Sequence, residues 1–430
     1  MSEYQLLKDI TYPYKSMHDL SYSSACRGLW NIVHLATQVP GSHQIFVCPT
    51  SCLRGVVLTT AEMGCMDRLS TITVGEDNIL EGDLEERILY GTRKIISSLK
   101  RRPSCIFIFT SCIHHFMQAN YQRVYRLLRD EYPDIDFIDA YMNPIMRKKS
   151  PPIPTLQRQV YRMLNQTDLK MNTINFFDNW FKPEYNDIYD HVIKQNIQIN
   201  DFSMIQTYEQ YKTMNQAIYN IGFHAFGQMA GKDMQYRLNI PYYYIQQTYD
   251  FNQIDKSIDE VSQLLQIDTI FIEDKIQLRL QTEERLHQVL QHIKDISISI
   301  DQSAIEAPLS LAILLLQHGF NVDEIYLESL SESIETFNTL KELKDDIKVY
   351  DVNNWNMRVK DRYNDYKVLA IGQNAAYFNE TPYFVDIIFT AGMYGYKGIQ
   401  HLCDLLIDAY DNPKDTKELV SKKGWCCTCR

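Results

Sequence analysis

The chain has 430 residues, 45% of them hydrophobic, and its formal net charge is −11. This length predicts about three domains, and the negative charge excludes broad binding to the phosphate backbone of nucleic acids. No apolar run approaches the roughly 20 residues of a membrane span, and the N-terminus lacks the pattern of a signal peptide. We therefore expect a cytoplasmic protein with neither a nucleic acid nor a membrane as partner. Ten cysteines in a reducing compartment indicate metal ligation or burial rather than disulfide bonds.

The first part of the chain alternates short apolar runs with helical patterns. Residues 1–22 are polar and rich in tyrosine, which predicts an arm or a loop, and a helix is expected to begin at Cys26 with Ser24 as its N-cap. Further strands are predicted at 44–48, 105–110 and 135–140, and further helices at 53–64, 84–99 and 113–131. Strands that alternate with helices indicate a parallel, Rossmann-like sheet.

The same alternation occurs twice more after a proline-rich boundary at 143–154. Strands are predicted at 173–177, 217–221, 240–245, 296–300, 324–327, 347–350, 367–371 and 386–390, and helices at 185–194, 224–237, 307–318 and 398–410. We therefore predict an α/β fold of three Rossmann-like domains with parallel sheets around a central cleft. Their expected ranges are 1–150, 151–294 and 295–420, followed by a cysteine-containing tail at 421–430.

Three cysteines occupy comparable positions in the first predicted domain. Cys52 and Cys112 follow predicted strands, and Cys26 opens a predicted helix. Open parallel sheets bind ligands beyond the carboxyl ends of their strands, and amides at a helix N-terminus lower a thiol pKa and can donate to cluster sulfurs. The three thiols could therefore meet at one sheet edge and hold an iron–sulfur cluster. The residues alone leave open that these cysteines are simply buried as small apolar side chains.

Several segments resemble the nitrogenase component 1 family. That family includes the molybdenum–iron protein subunits, their cofactor-assembly scaffolds and the subunits of dark-operative protochlorophyllide reductase. The matching segments are Cys26–Leu29, Ile45–Cys52, Leu80–Leu84, Ile108–Cys112, 295–326, and the turn Gly392–Gly398 that precedes the last helix. The resemblance implies that Cys26, Cys52 and Cys112 hold a cluster near a subunit interface.

Three cysteines leave one iron of a 4Fe–4S cubane without a protein ligand. The fourth ligand could come from a partner subunit, or from Cys48 or Asp83 of this chain; alternatively, Asp83 is an ordinary acid in the first turn of a helix. His114 and His115 lie next to Cys112 in the sequence and could tune the cluster through hydrogen bonds.

The sequence departs from the catalytic nitrogenase subunit at two positions. That subunit holds its large iron–sulfur cofactor with a cysteine and a histidine, where this chain has Gly222-Phe223-His224 and Asp386–Phe389. We therefore do not expect dinitrogen reduction on that cofactor. His224 is a weaker candidate for binding a cofactor or substrate, the alternative being a histidine at a helix start. The tail cysteines Cys426, Cys427 and Cys429 could chelate a soft metal ion.

Nucleotide-binding motifs are missing from the sequence. The predicted strand 296–300 is followed by Asp301–Ala304 rather than GxGxxG, and no GxxxxGK[ST] occurs, so we expect no nucleotide on this chain. The resemblance implies an oxidoreductase subunit that accepts electrons from a separate ATP-hydrolysing iron protein and pairs with a sister subunit or with itself. The alternatives are a non-catalytic scaffold for metallocofactor assembly and a relic that only binds a partner.

Overall fold

The computed structural model describes residues 4–14, 21–26, 31–143, 151–178, 183–270, 272–294, 296–330, 332–362 and 367–421. The strands in these ranges are β1 (Gln5–Leu6), β2 (Ser42–Cys48), β3 (Leu69–Thr73), β4 (Cys105–Ser111), β5 (Asp136–Met142), β6 (Thr173–Phe176), β7 (Gln198–Asp201), β8 (Tyr219–Gly222), β9 (Tyr242–Tyr244), β10 (Ser297–Asp301), β11 (Asn321–Leu327), β12 (Lys348–Asp351), β13 (Val368–Ile371) and β14 (Phe384–Val385). The helices are α1 (Ile32–Gln38), α2 (Leu53–Glu62), α3 (Glu76–Glu81), α4 (Leu84–Ser98), α5 (Cys112–Phe116), α6 (Tyr121–Glu131), α7 (Pro152–Val160), α8 (Asp187–Lys194), α9 (Tyr208–Thr213), α10 (Gln228–Leu238), α11 (Phe251–Leu265), α12 (Ile272–Ile293), α13 (Pro308–Gln317), α14 (Ile334–Leu343), α15 (Gln373–Asn379), α16 (Gly395–Asp411) and α17 (Glu418–Ser421).

The strands form three sheets, which we number in chain order. The first sheet has the order β3-β2-β4-β5, the second β7-β6-β8-β9, and the third β1-β12-β11-β10-β13-β14. Every pairing in them is parallel except that of β1 with β12. The predicted α/β fold class with Rossmann-like parallel sheets is thus confirmed. In the described ranges, no helix is both long enough and apolar enough to cross a membrane.

The chain divides into two compact units, each assembled from separate segments. The two-sheet unit, with the first and second sheets, consists of Trp30–Asn179 and Gln198–Tyr244. The one-sheet unit, with the third sheet, consists of Met1–Leu29, Trp180–Ile197 and Ile245–Arg430.

The centre of the first sheet consists of two neighbouring strands that are buried along their whole length. All seven residues of β2 and all seven of β4 are buried, and Phe46 stacks on Phe109 with ring centroids 4.2 Å apart. Continuous runs of Ile, Val and Phe are typical of parallel strands covered on both faces. The two strands pair in register up to Val47 and Thr110, so their carboxyl ends lie side by side.

The predicted helix start at Cys26 is wrong for the helix that carries Val33. That helix, α1, begins at Ile32, and its N-cap is Asn31, whose side chain accepts a hydrogen bond from the Val33 backbone N–H at 2.9 Å. Ser24 caps nothing in α1; its hydroxyl donates to the side-chain oxygen of Asn374 at 2.8 Å. The Ser24 side chain, which the local sequence pattern assigned to a helix cap, thus makes a tertiary contact instead.

Two further element predictions are wrong. The single helix predicted at 113–131 is two helices, α5 and α6, because the chain turns at Gln118, where φ is +52°, and restarts at the N-cap Asn120. The strand predicted at 386–390 is absent from the described residues there. Thr390 and its neighbour adopt left-handed backbone angles in a 3-10 turn, and the edge strand β14 ends earlier, at Val385.

Candidate functional site

Three cysteines lie at the carboxyl edge of the first sheet. Cys48 is the last residue of β2, and Cys112 is the first residue after β4. Cys52 ends a one-turn 3-10 helix that follows β2, and it is the N-cap of α2. Because β2 and β4 are adjacent and parallel, the topology brings these thiols to the same edge, as the sequence predicts for Cys52 and Cys112.

The thiols differ in exposure and therefore in chemistry. Cys48 is buried, Cys112 is half-buried and Cys52 is exposed. Burial, and secondarily the nearby Cys52 thiol, raises the pKa of Cys48 to about 12. Cys48 is thus a neutral thiol at pH 7 unless a cation compensates the charge of its thiolate, whereas Cys52 can offer its sulfur at the surface.

The elements that carry these cysteines also expose large apolar side chains. Phe116, the last residue of α5, is 64% exposed, and Met117, which follows it, is 46% exposed. Leu58 on α2 is 45% exposed. Phe116 and Met117 are consecutive, so these exposed apolar side chains beside the cysteines offer a surface that another protein can cover.

The two histidines after Cys112 have different environments. His114 is buried, one ring nitrogen (Nδ1) lies 3.2 Å from the Ser111 hydroxyl oxygen, and burial lowers the pKa of His114 to about 4. Its other nitrogen, Nε2, is buried and has no hydrogen-bond partner among the residues that the structure describes. His115 is exposed. At neutral pH the His114 ring is therefore uncharged.

Asp83 has a local structural partner. It occupies the N-cap position of α4, and its carboxylate accepts hydrogen bonds from the Asn78 side chain at 3.0 and 3.3 Å. This contact fastens the corner between α3 and α4. A role of Asp83 as a cluster ligand stays a prediction.

Cys26 belongs to the one-sheet unit rather than to the unit that contains Cys52 and Cys112. It is buried, and its thiol donates to the backbone carbonyl oxygen of Gln373, the first residue of α15, at 3.5 Å. A cluster shared by Cys26, Cys52 and Cys112 therefore stays a prediction.

No three His, Cys, Asp or Glu side chains in the described ranges form a group that could hold a metal ion. The tail cysteines Cys426, Cys427 and Cys429 lie outside these ranges.

His224 lies at the carboxyl edge of the second sheet, just after β8. Its backbone N–H and that of Phe223 both donate to one carboxylate oxygen of Asp178, at 2.8 and 2.7 Å. The His224 ring is buried and stacks on Phe226, with centroids 4.9 Å apart. This geometry suits a packed histidine at a helix start, and a binding role for His224 stays a prediction.

One feature of the two-sheet unit was missed by the sequence reasoning. Four arginines line a cavity beside the edge strand β5: Arg126, Arg129, Arg158 and Arg162. Each pair follows a helical repeat, three residues apart on α6 and four residues apart from α7 into the turn after it. That spacing is the signal that could have shown a basic stripe on each element, although not that the two stripes face one cavity.

Comparisons with known proteins agree with the fold. A family model described as "Nitrogenase component 1 type Oxidoreductase" matches residues 33–404. No curated protein sequence matches the chain. A solved structure of "Nitrogenase Cp1 at pH 6.5" is similar with a TM-score of 0.67 and 13% identity, covering 96% of this chain and 98% of that one. A second, "Nitrogenase Cp1 at pH 5", has a TM-score of 0.60 and 10% identity, covering 95% and 94%.

Proposed function

We propose, because this chain belongs to the nitrogenase component 1 type oxidoreductase family, that it is an electron-accepting subunit that binds an iron–sulfur cluster. Members of this family generally bind such clusters, act with an iron protein reductase and form hetero-oligomers. In this proposal an ATP-hydrolysing iron protein supplies single electrons, and a bound substrate is finally reduced.

The observation that carries the proposal is the placement of Cys52 and Cys112 after two adjacent parallel strands. Thiolates are the usual ligands of iron–sulfur clusters, which supply one-electron transfer when bound. Cys52 and Cys112, which belong to the two-sheet unit, would be two of the cluster's ligands. Cys26 would be the third ligand that the family resemblance implies. Cys48 is the alternative ligand. Burial raises the pKa of its thiol to about 12, and the positive charge of a bound iron would favour loss of that proton.

A partner subunit would complete the site. Cys52 is exposed, so a cluster held there by this chain alone would face water. The exposed apolar side chains of Leu58, Phe116 and Met117 are on the same elements as the cysteines or next to them, and a second subunit that covers them would also shield the cluster. The fourth ligand would then come from that subunit.

The test is anaerobic purification of the full chain with its partner subunit co-expressed, followed by iron and sulfide analysis and electron paramagnetic resonance. We expect C52A and C112A each to lose more than about half of the bound iron, because a cubane with a missing thiolate is labile. C403A is the matched control, since Cys403 is buried in α16, where burial raises its thiol pKa to about 12.

Two results would count against the proposal. One is a colourless, iron-free wild-type complex. The other is iron content in C52A and C112A equal to that of C403A, which would place any cluster elsewhere.

The second candidate function is a non-catalytic scaffold for metallocofactor assembly. It is favoured by the absence of a thiol in Gly222-Phe223-His224, since a cofactor that is passed on needs no permanent ligand at that place. Turnover with a reductase and ATP separates the two. A reductase subunit yields reduced product, whereas a scaffold releases a metallocofactor to another protein.

A further inference from the structure

Two adjoining cavities lie beside β5, the edge strand of the first sheet. One, of about 490 Å3, is lined by residues of α6, β5, α7 and the turn after α7. The other, of about 390 Å3, is lined mainly by aromatic and apolar side chains. They share the side chains of Tyr121, Tyr141 and Arg158, and all their lining residues belong to the two-sheet unit.

The larger cavity carries an excess of positive charge. Among the described residues, Arg126, Arg129, Arg158 and Arg162 line it, and the one carboxylate in its wall is that of Asp139. Asp139 accepts hydrogen bonds from the hydroxyls of Tyr125 and Tyr141, at 3.3 and 2.7 Å. Even with Asp139 ionised, these described side chains have a surplus of three positive charges.

Two of the four guanidinium groups are already engaged. Arg162 pairs with Asp233 at 3.2 Å, and Arg129 donates to the carbonyl oxygen of Phe137 at 3.0 Å. The remaining two, Arg126 and Arg158, form no ion pair with any other described residue.

Arg158 is the residue that distinguishes this cavity from an ordinary basic surface. It is half-buried on α7 at the wall that the two cavities share, and its Nε–H is fully buried without an acceptor among the described residues. A buried donor without a partner costs about 1–3 kcal/mol, and more when it is charged. A water molecule or a ligand in the cavity would supply the missing acceptor.

We propose that this pair of cavities binds an organic anion with several phosphate or carboxylate oxygens, held by Arg158 and Arg126. Guanidinium groups bind such oxygens in a two-pronged geometry. The smaller cavity, with Pro152, Leu156 and Tyr121 in its wall, would receive an apolar or aromatic body attached to the anionic group. The site uses no cysteine and so does not depend on the proposed cluster.

Isothermal titration calorimetry on the full chain, with inorganic pyrophosphate and tricarballylate as separate probes, tests the inference. We expect saturable binding of one equivalent of at least one probe. R158Q should weaken it by about tenfold or more, and R126Q by several-fold, because each removes a charge-assisted contact. R158K should fall between wild type and R158Q, since it keeps the charge and loses the planar fork.

The matched control is R102Q, which removes an exposed arginine of the same unit that pairs with Asp134. Its binding should equal that of wild type. If only pyrophosphate binds, the ligand is a phosphate ester, and if only tricarballylate binds, it is a polycarboxylate. If both bind, the site recognises the negative charge of the ligand rather than its chemical group. No saturable binding of either probe would overturn the proposal, and so would equal weakening by R102Q and R126Q. R126Q changes an exposed side chain, so the test stands even if R158Q does not fold.

Discussion

The first and third sheets both have parallel central strands, so the carboxyl ends of those strands are equivalent places, yet the two edges are built differently. At the first, Cys52 is exposed and Cys112 half-buried, after β2 and β4. At the third, the carboxylate of Asp301, the last residue of β10, accepts from the backbone N–H groups of Ser303 and Asn374 at 2.9 and 2.7 Å. The first edge leaves soft ligands at the surface, and the third uses its polar groups for its own hydrogen bonds.

At the third edge, a carboxylate of the protein itself also binds the N-terminus of helix α13. Glu332, which is buried, accepts from the backbone N–H groups of Leu309 and Ser310 in the first turn of α13, at 2.8 and 2.7 Å. These N–H groups are the donors that a bound anion uses in other α/β proteins. Topology thus marks where a ligand can bind, whereas the local hydrogen bonds decide whether that place stays open for one.

The largest expected effect comes from adding a side chain at a crowded glycine of the third edge. Gly372, between β13 and α15, has φ of +110°, and a Cβ there would lie 2.7 Å from the Cβ atoms of Asp301 and Ala304. We expect G372A to lower the free energy of unfolding by about 4 kcal/mol, because backbone strain and overpacking add. Urea denaturation followed by circular dichroism measures this.

The matched control is at the first edge. Gly55 lies inside α2, where an added Cβ would meet nothing within 4 Å. G55A should stabilise the protein by about 0.5–1 kcal/mol through helix propensity. A G372A protein as stable as wild type would show that the third edge is not tightly built, and the comparison would fail.

Much of the first edge could be predicted from the sequence, because the signals there are local. The apolar runs that end at Cys48 and before Cys112 predict buried parallel strands, and strand ends place the cysteines. The position of Cys26 could not be read in this way. Its contact with Gln373 joins residues 347 positions apart, and no periodic pattern reports such a contact. The arginine-lined cavity has the same origin, since it exists only when α7 packs beside β5.

The second effect is a pH dependence located at the third edge. Burial raises the pKa of Glu332 from 4.5 to about 7, against the opposing effect of two backbone N–H donors. Between these values the folded state binds more protons than the unfolded state, so the free energy of unfolding falls as pH rises through this window. From pH 5 to pH 8 we expect Glu332 to remove about 2 kcal/mol of stability.

In E332Q this loss should be absent, so its stability should fall less than that of wild type over the same range. A smaller decline should remain, since burial also raises the pKa of Asp187 to about 6. E335Q, which changes an exposed acid in the first turn of α14, should follow wild type. If stability falls equally with pH in wild type and in E332Q, burial does not raise the pKa of Glu332 and this prediction is wrong.

The smallest effect compares Cys52, at the first edge, with Cys26, whose thiol contacts the first residue of α15. Cys26 is buried against α15, and C26A should cost about 1 kcal/mol through a lost weak hydrogen bond and a small cavity. C52A should change stability by less than about 0.5 kcal/mol, because the Cys52 side chain is exposed. Urea denaturation of metal-free protein measures both, since a bound cluster would itself stabilise the fold.

The two cysteines should also differ in reactivity, in the order opposite to that of stability. Iodoacetamide should modify Cys52 of the metal-free, folded chain well before Cys26, because only the Cys52 sulfur is open to the reagent. A large loss of stability in C52A, or equal labelling of both thiols, would mean that Cys52 helps to hold the fold. The first edge would then resemble the third, and the reason for assigning a ligand to it would be lost.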